Sequence, residues 1–201
     1  MNKDNILGVV LAGGKSQRFG RDKCQVILGD KTLLDHTLNK VKLNLNKIII
    51  VSNNINVRNE IVIIDCIKGQ LGPLVGVLSA MKWATVNSPK CEWIATFPCD
   101  TPFFDISIID DFINASKKKD SLLYFAQSKG RRHNIFGLWS IKLMKTLEED
   151  IVKNNYRKVE DWANKIGVKT ITDVSDNLNS FFNINTKEEL IEAEKILKIY
   201  K

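Results

Sequence analysis

The apolar run Ile6-Leu7-Gly8-Val9-Val10 gives way at once to Leu11-Ala12-Gly13-Gly14-Lys15-Ser16-Gln17-Arg18-Phe19-Gly20-Arg21-Asp22-Lys23, and this junction narrows the possible folds more than any other stretch. A short β-branched run that stops in two glycines reads as a buried strand delivering the chain into a tight loop, where bare backbone can approach a ligand closely. Exposed N–H groups in such a loop form a concavity for anions, and Lys15, Arg18, Arg21 and Lys23 add four cations within nine residues. The stretch is suited to phosphate, but two common phosphate loops fail on spacing. A P-loop would need glycine where Val9 stands, Gly8 lying one residue too early. A dinucleotide fingerprint needs Gly-x-Gly-x-x-Gly, whereas Gly13 and Gly14 are adjacent and the next glycine is Gly20.

Downstream, strand-like and helix-like patterns alternate. Leu33, Leu34, Leu38, Val41 and Leu45 fall at helical spacing, with Lys31-Thr32 opening the helix. Residues 47–51 (Lys-Ile-Ile-Ile-Val) form a continuous β-branched run, as in a strand buried on both faces of a parallel sheet. Residues 61–65 repeat the pattern. Ligands of open parallel α/β sheets bind beyond the carboxyl ends of the strands, which draws notice to Asn53 and Asp65 there.

Gly72-Pro73-Leu74-Val75-Gly76 then starts an apolar helix. Proline in the first turn and small residues on one face suit a tightly packed helix start, or one whose N-terminal N–H groups face a ligand. A fourth strand over 92–97 runs into Pro98-Cys99-Asp100-Thr101-Pro102. The flanking prolines stiffen this turn, and Asp100 reads either as an Asx-turn residue or as a carboxylate able to hold Mg²⁺ against a triphosphate.

A helix is expected over 106–115, strands over 122–126 and 135–139, and helices over 141–152 and 158–166. The six residues from Lys129 to Asn134 read as the connection between the two strands. Thr186 with Glu189 forms a capping box for a terminal helix, and Asn183 and Asn185 alternate with Phe182 and Ile184, so both amides share one face of a strand.

Bulk properties agree with one α/β domain over 1–201, with 44% hydrophobic and 26% charged residues and no apolar run near the ~20 residues that cross a bilayer. The polar N-terminus does not resemble a signal peptide, so a soluble, cytoplasmic protein without membrane attachment is expected. The net charge of +7 is scattered rather than gathered into a basic arm; a basic surface suits small anionic substrates as well as nucleic acid, and charge alone does not choose between them. Cys24, Cys66, Cys91 and Cys99 show no C-x-x-C spacing and are expected to be reduced thiols.

The pattern Leu-Ala-Gly-Gly-x-Ser-x-Arg-Phe-Gly-x-Asp-Lys resembles the signature loop of the molybdenum cofactor guanylyltransferases, the MobA family of nucleotidyltransferases. Gly-Pro-Leu-x-Gly, Pro-Cys-Asp-Thr-Pro and Phe-Asn-Ile-Asn-Thr-x-Glu-Glu-Leu are similar to three further motifs of that family, and together they span Leu7 to Leu190. The resemblance implies a three-layer α/β/α Rossmann-like fold with a mostly parallel sheet and an antiparallel strand. It implies transfer of GMP from GTP to the terminal phosphate of Mo-molybdopterin. On this resemblance Arg18, Lys23 and Asp100 are catalytic, and Asp100 binds Mg²⁺. Leu11, Ala12, Gly13, Gly14, Lys23, Asn53, Asp65, Gly72, Gly76 and Asp100 bind GTP in the N-terminal part, and Arg157, Asn183 and Asn185 face molybdopterin in the C-terminal part. Family members imply transient contact with molybdenum-insertion proteins and apo-molybdoenzymes. Asn134 stands where the family usually has proline, and no catalytic role is assigned to His133. The alternative is a related nucleotidyltransferase that uses CTP or a sugar phosphate acceptor.

Overall fold

A computed structural model describes residues 3–13, 22–55, 57–69, 71–172 and 179–199. The first strand, β1 (Ile6–Leu11), is buried along its whole length and pairs in parallel with β4 (Ile48–Val51) and β6 (Trp93–Pro98). Beyond β4 lies β5 (Val62–Ile63). On the other flank β8 (Arg131–Ser140) runs antiparallel to β6 and to β7 (Leu123–Ser128), and β9 (Lys169–Thr172) pairs in parallel with β7 at the far edge. The order β5-β4-β1-β6-β8-β7-β9 therefore contains one reversed strand, which fits the expected mostly parallel sheet.

Alternation along β1 sorts the core into layers. Leu7, Val9 and Leu11 face one side, under α2 (Pro73–Asn87), α4 (Met144–Val152) and α5 (Val159–Ile166). Ile6 faces the other, beneath α1 (Leu33–Asn44) and α3 (Ser107–Lys118). Helix α1 opens with Thr32 Oγ1 accepting the Asp35 N–H at 3.0 Å while Asp35 Oδ2 accepts the Thr32 N–H at 3.1 Å, a capping box that satisfies two donors at the helix start. The last helix, α6 (Lys187–Ile199), packs Ala193 and Ile196 on a separate two-stranded ribbon, β2 (Ile27–Leu28) and β3 (Lys31–Thr32). Its own cap is the expected Thr186–Glu189 box, with Glu189 Oε2 also accepting the Asn185 N–H at 2.5 Å. Among the described residues no helix is long and apolar enough to cross a membrane.

Three expectations are corrected. The polar residues 131–134 belong to β8 and not to a loop: only Lys129 and Gly130 turn, both with positive φ, as two-residue hairpins require. Their polarity misled because this end of β8 pairs with β7 alone and lies half-exposed. Between Phe125 and Ala126 the register slips, so that Phe125 faces Gly137 while Ala126 faces His133; Asn134, Ile135 and Phe136 bulge away from β7. Second, residues 182–185 form no strand; they run as irregular chain held by Ile184 N–H donating to the Asp100 carbonyl at 2.9 Å. Third, Cys24 and Cys99 are joined in a disulfide across 75 residues of sequence, while Cys66 and Cys91 are free. Sequence spacing cannot show a pairing that exists only because the end of β6 lies beside the short 3-10 turn Lys23–Gln25.

Candidate active site

The carboxyl ends of β1, β4 and β6 open onto one region, as expected of parallel strands that deliver loops to a common edge. At the end of β1 the buried Ala12 donates its N–H to the Val51 carbonyl at 2.9 Å, and the Leu11 carbonyl accepts the Cys99 N–H. Gly13 is exposed just beyond. Gly14 and Arg18 lie outside the described residues.

At the end of β6 sits Asp100. Its Oδ2 accepts from Lys23 Nζ at 2.6 Å, and Thr101 Oγ1 donates to Oδ1 at 3.2 Å. Lys23 is placed by its turn, which Asp22 caps by accepting the Cys24 N–H at 3.0 Å. The same ammonium meets Asn185 Oδ1 at 2.7 Å and Asn183 Oδ1 at 3.5 Å. The alternation of residues 182–185 thus does put both amides on one side, although no strand is present: Ile184 goes into the α6 cluster and the two amides converge on Lys23. Segments far apart in sequence therefore set three side-chain oxygens around one cation. The Lys23 and Asp100 side chains are only 15% and 22% exposed, so their attraction is less screened than in a surface pair.

A second cluster lies at the ends of β4 and β5. Asn53 Nδ2 donates to Asp65 Oδ2 at 2.7 Å and Asn53 Oδ1 accepts the Asp65 N–H at 2.9 Å, a two-bond clasp that fixes the carboxylate. Gly76 lies under it: a Cβ there would stand 3.1 Å from Leu11 Cδ2 and 3.9 Å from Asp65 Oδ1, so the glycine lets α2 approach β1 closely.

Gly72 precedes Pro73 with φ +88°, a conformation few other residues adopt, and its added Cβ would stand 3.3 Å from the Arg157 carbonyl. The start of α2 therefore touches the loop between α4 and α5. Arg157 itself donates to the carbonyls of Ile151 and Tyr156 at 2.8 and 2.7 Å. That loop hangs on Asp150, which is 1% exposed. Asp150 accepts from Trp162 Nε1 at 2.9 Å, Asn154 Nδ2 at 2.7 Å and Lys165 Nζ. Burial alone would push the Asp150 carboxyl up, but these three donors outweigh it and hold it below the usual carboxylate range. Asn155, Arg157, Lys158 and Asp161 help line an open cleft of about 320 Å³ on this loop.

His133 stacks on Phe181 with centroids 3.8 Å apart, and its Nε2 is 2.8 Å from Ser128 Oγ, an arrangement that packs the chain leading to Asn183. Reading the sequence did not anticipate the disulfide flanking Lys23 and Asp100, nor Asp150; a buried acid inside an amphipathic helix pattern carries no sign of which donors it will meet.

Residues 8–173 match the family model described as the MobA-like NTP transferase domain. A molybdenum cofactor guanylyltransferase of Rhizobium leguminosarum bv. trifolii is 36% identical over 205 residues, covering 98% of this chain and 96% of that protein. One of Rhizobium johnstonii is 34% identical over 203 residues, with the same shares covered. Among solved structures, molybdopterin-guanine dinucleotide biosynthesis protein A from Archaeoglobus fulgidus has a TM-score of 0.79 at 21% identity, covering 96% of this chain and 99% of that one.

Proposed function

We propose a function from one premise, that this chain belongs to the MobA-like NTP transferase family: it transfers GMP from GTP to the terminal phosphate of molybdopterin carrying molybdenum and releases pyrophosphate. The observation that carries this reading is the cluster of Lys23, Asp100, Asn183 and Asn185 at the carboxyl end of β6, where a cation and fixed oxygens stand side by side. In such a transfer the acceptor phosphate attacks the α-phosphorus in line, so no protein nucleophile is needed and the residues act by positioning and by offsetting charge.

Lys23, with Gly13, Gly14 and Arg18, cradles the triphosphate. The donor set of Asp100 and the neighbouring amide oxygens is all oxygen, which suits Mg²⁺, and Asp100 would hold the ion. When bound, Mg²⁺ supplies positive charge against the phosphates. Asp65, clasped by Asn53, takes the guanine edge beside Leu11 and Ala12, with Gly72 and Gly76 letting α2 lie close to the nucleotide. Asn183, Asn185 and Arg157 face the acceptor. The place of action is the cytoplasm, with molybdenum-insertion proteins and apo-molybdoenzymes as transient partners.

The test is to follow pyrophosphate release from GTP or CTP with Mg²⁺, with and without Mo-molybdopterin. Turnover with GTP that depends on the acceptor is expected. Equal use of CTP, or transfer to a sugar phosphate and not to molybdopterin, would replace this reading by a different nucleotidyltransferase. Asp100→Asn, nearly isosteric, should leave the melting temperature within a few degrees while turnover falls by orders of magnitude.

A further inference from the structure

The disulfide joins the residue after Lys23 to the residue before Asp100, so a covalent bond sits directly behind the ion pair at the site. Both sulfurs are buried, Cys24 at 2% and Cys99 at 4% exposure, in an apolar cluster with Val10, Leu34, Leu38 and Ile50. The backbone on each side is held independently: Asp22 caps the Cys24 N–H, and the Cys99 N–H goes to the Leu11 carbonyl. Breaking the bond therefore frees one turn from one strand end without unravelling either.

We propose that Cys24 and Cys99 form a reversible thiol/disulfide site that sets how strongly the enzyme binds metal–nucleotide, its reactants being low-molecular-weight dithiols and disulfides. The proposal rests on the reading of Lys23 and Asp100 as the phosphate and metal groups. In that reading the two must part, since Lys23 turns to phosphate and Asp100 to the cation. With the bond in place, the α-carbons of Cys24 and Cys99 are tethered 5.8 Å apart and Lys23 is kept on Asp100, so each charge occupies the other's partner position. Reduction replaces the bond by two thiols that approach only to van der Waals contact, and the turn carrying Lys23 can withdraw. The oxidised form is the weaker binder.

The exchange balances. A thiolate of the dithiol attacks one sulfur, forming a mixed disulfide and breaking the Cys24–Cys99 bond; the other cysteine leaves as a thiolate and takes up a proton. The reductant's second thiolate attacks the mixed disulfide and releases the first cysteine. Two electrons and two protons end on the protein, and the reductant departs as a cyclic disulfide. A small disulfide drives the same steps backwards.

The experiment measures Mn²⁺·GTP affinity by electron paramagnetic resonance on full-length protein after reduction with dithiothreitol and after oxidation with glutathione disulfide. Intact mass reports the redox state, and far-UV circular dichroism reports the fold. The reduced form should be heavier by about 2 Da, stay folded and bind at least about fivefold tighter, the lower edge of ordinary coupling between two sites. Cys24→Ser and Cys99→Ser should each bind like the reduced protein and ignore both reagents. Equal affinity in the two forms, tighter binding by the oxidised form, an unchanged mass, or loss of the fold on reduction would each overturn the proposal. Binding is read without acceptor, so a redox effect in a protein that fails to transfer GMP would refute only the proposed function.

Discussion

Gly13→Ala separates what the loop does for the fold from what it does for the ligand. Gly13 follows the last hydrogen bond that ties β1 to β4, is exposed, and is not among the residues with positive φ. Among the described residues a Cβ built on it meets nothing within 4 Å. The methyl therefore costs the folded state nothing, while it restricts the unfolded chain, for a gain of about 0.4–1 kcal/mol or about 1–4 °C in Tm. In the proposed function Ala12 lies beside the guanine, so a methyl on the next residue is expected to crowd the purine. A methyl in a well-packed pocket changes discrimination by about 1–3 kcal/mol, or about 10- to 200-fold. The ratio of kcat/KM for GTP over that for CTP should fall by a factor in that range, with thermal melting recorded on the same samples. A Tm lowered by several degrees would refute the open environment of Gly13. An unchanged ratio in a stable variant would place the base elsewhere.

Lys23→Ala should weaken GTP far more than guanosine in competition binding, because a cation that pairs with phosphate is missed only when phosphates are present; equal weakening would move Lys23 away from the triphosphate. Gly137→Ala would set its methyl 2.7 Å from Trp139 Nε1 and 2.8 Å from the Phe125 ring, both fully buried, and should lower stability by about 3 kcal/mol, read as a Tm loss of about 6–12 °C. Asp150→Ala leaves the buried Trp162 N–H without its acceptor and should cost about 3 kcal/mol at neutral pH in urea unfolding. Because the folded carboxyl lies below its unfolded value, the wild-type advantage is full above pH 4 and fades as pH falls through the folded value. Lys40 is held between the Phe104 carbonyl and ring, and burial lowers its pKa to about 8 despite nearby Asp105. Its ammonium therefore opposes folding below pH 8, and wild-type stability relative to Lys40→Met should rise by about 3 kcal/mol between pH 8 and 10.5, as checked by chemical denaturation across that range.

The elements read correctly from sequence were those whose residues are buried on a regular period. The apolar runs of β1, β4 and β6 needed no context, and the helical spacing after Lys31-Thr32 marked the start of α1. What failed was shorter or lay at an edge. Strands β2 and β3 have two residues each, too few to show any period, and Lys169–Thr172 is an edge strand whose lysine and threonines need no apolar face. The long polar half of β8 was hidden for the same reason. At the site, Lys23 and Asp100 were each legible from their motifs, but their contact with one another was not. It depends on where β6 ends relative to a turn 77 residues earlier. The convergence of Asn183 and Asn185 on Lys23 likewise needed Ile184 to be fixed by the Asp100 carbonyl, a bond between elements whose order in space no local pattern records.

That single bond from Ile184 also bears on when the molecule becomes competent. Every strand of the sheet lies between residues 6 and 172, whereas the two amides that complete the Lys23–Asp100 cluster come from residues 183 and 185. During synthesis the ribosome therefore delivers the whole sheet before it delivers the closing piece. A nascent chain with all seven strands assembled still has Lys23 and Asp100 without their amide neighbours, and α6, which presses that segment down through Ala193 and Ile196, is made later still. Translation order thus makes completion of this cluster a late step.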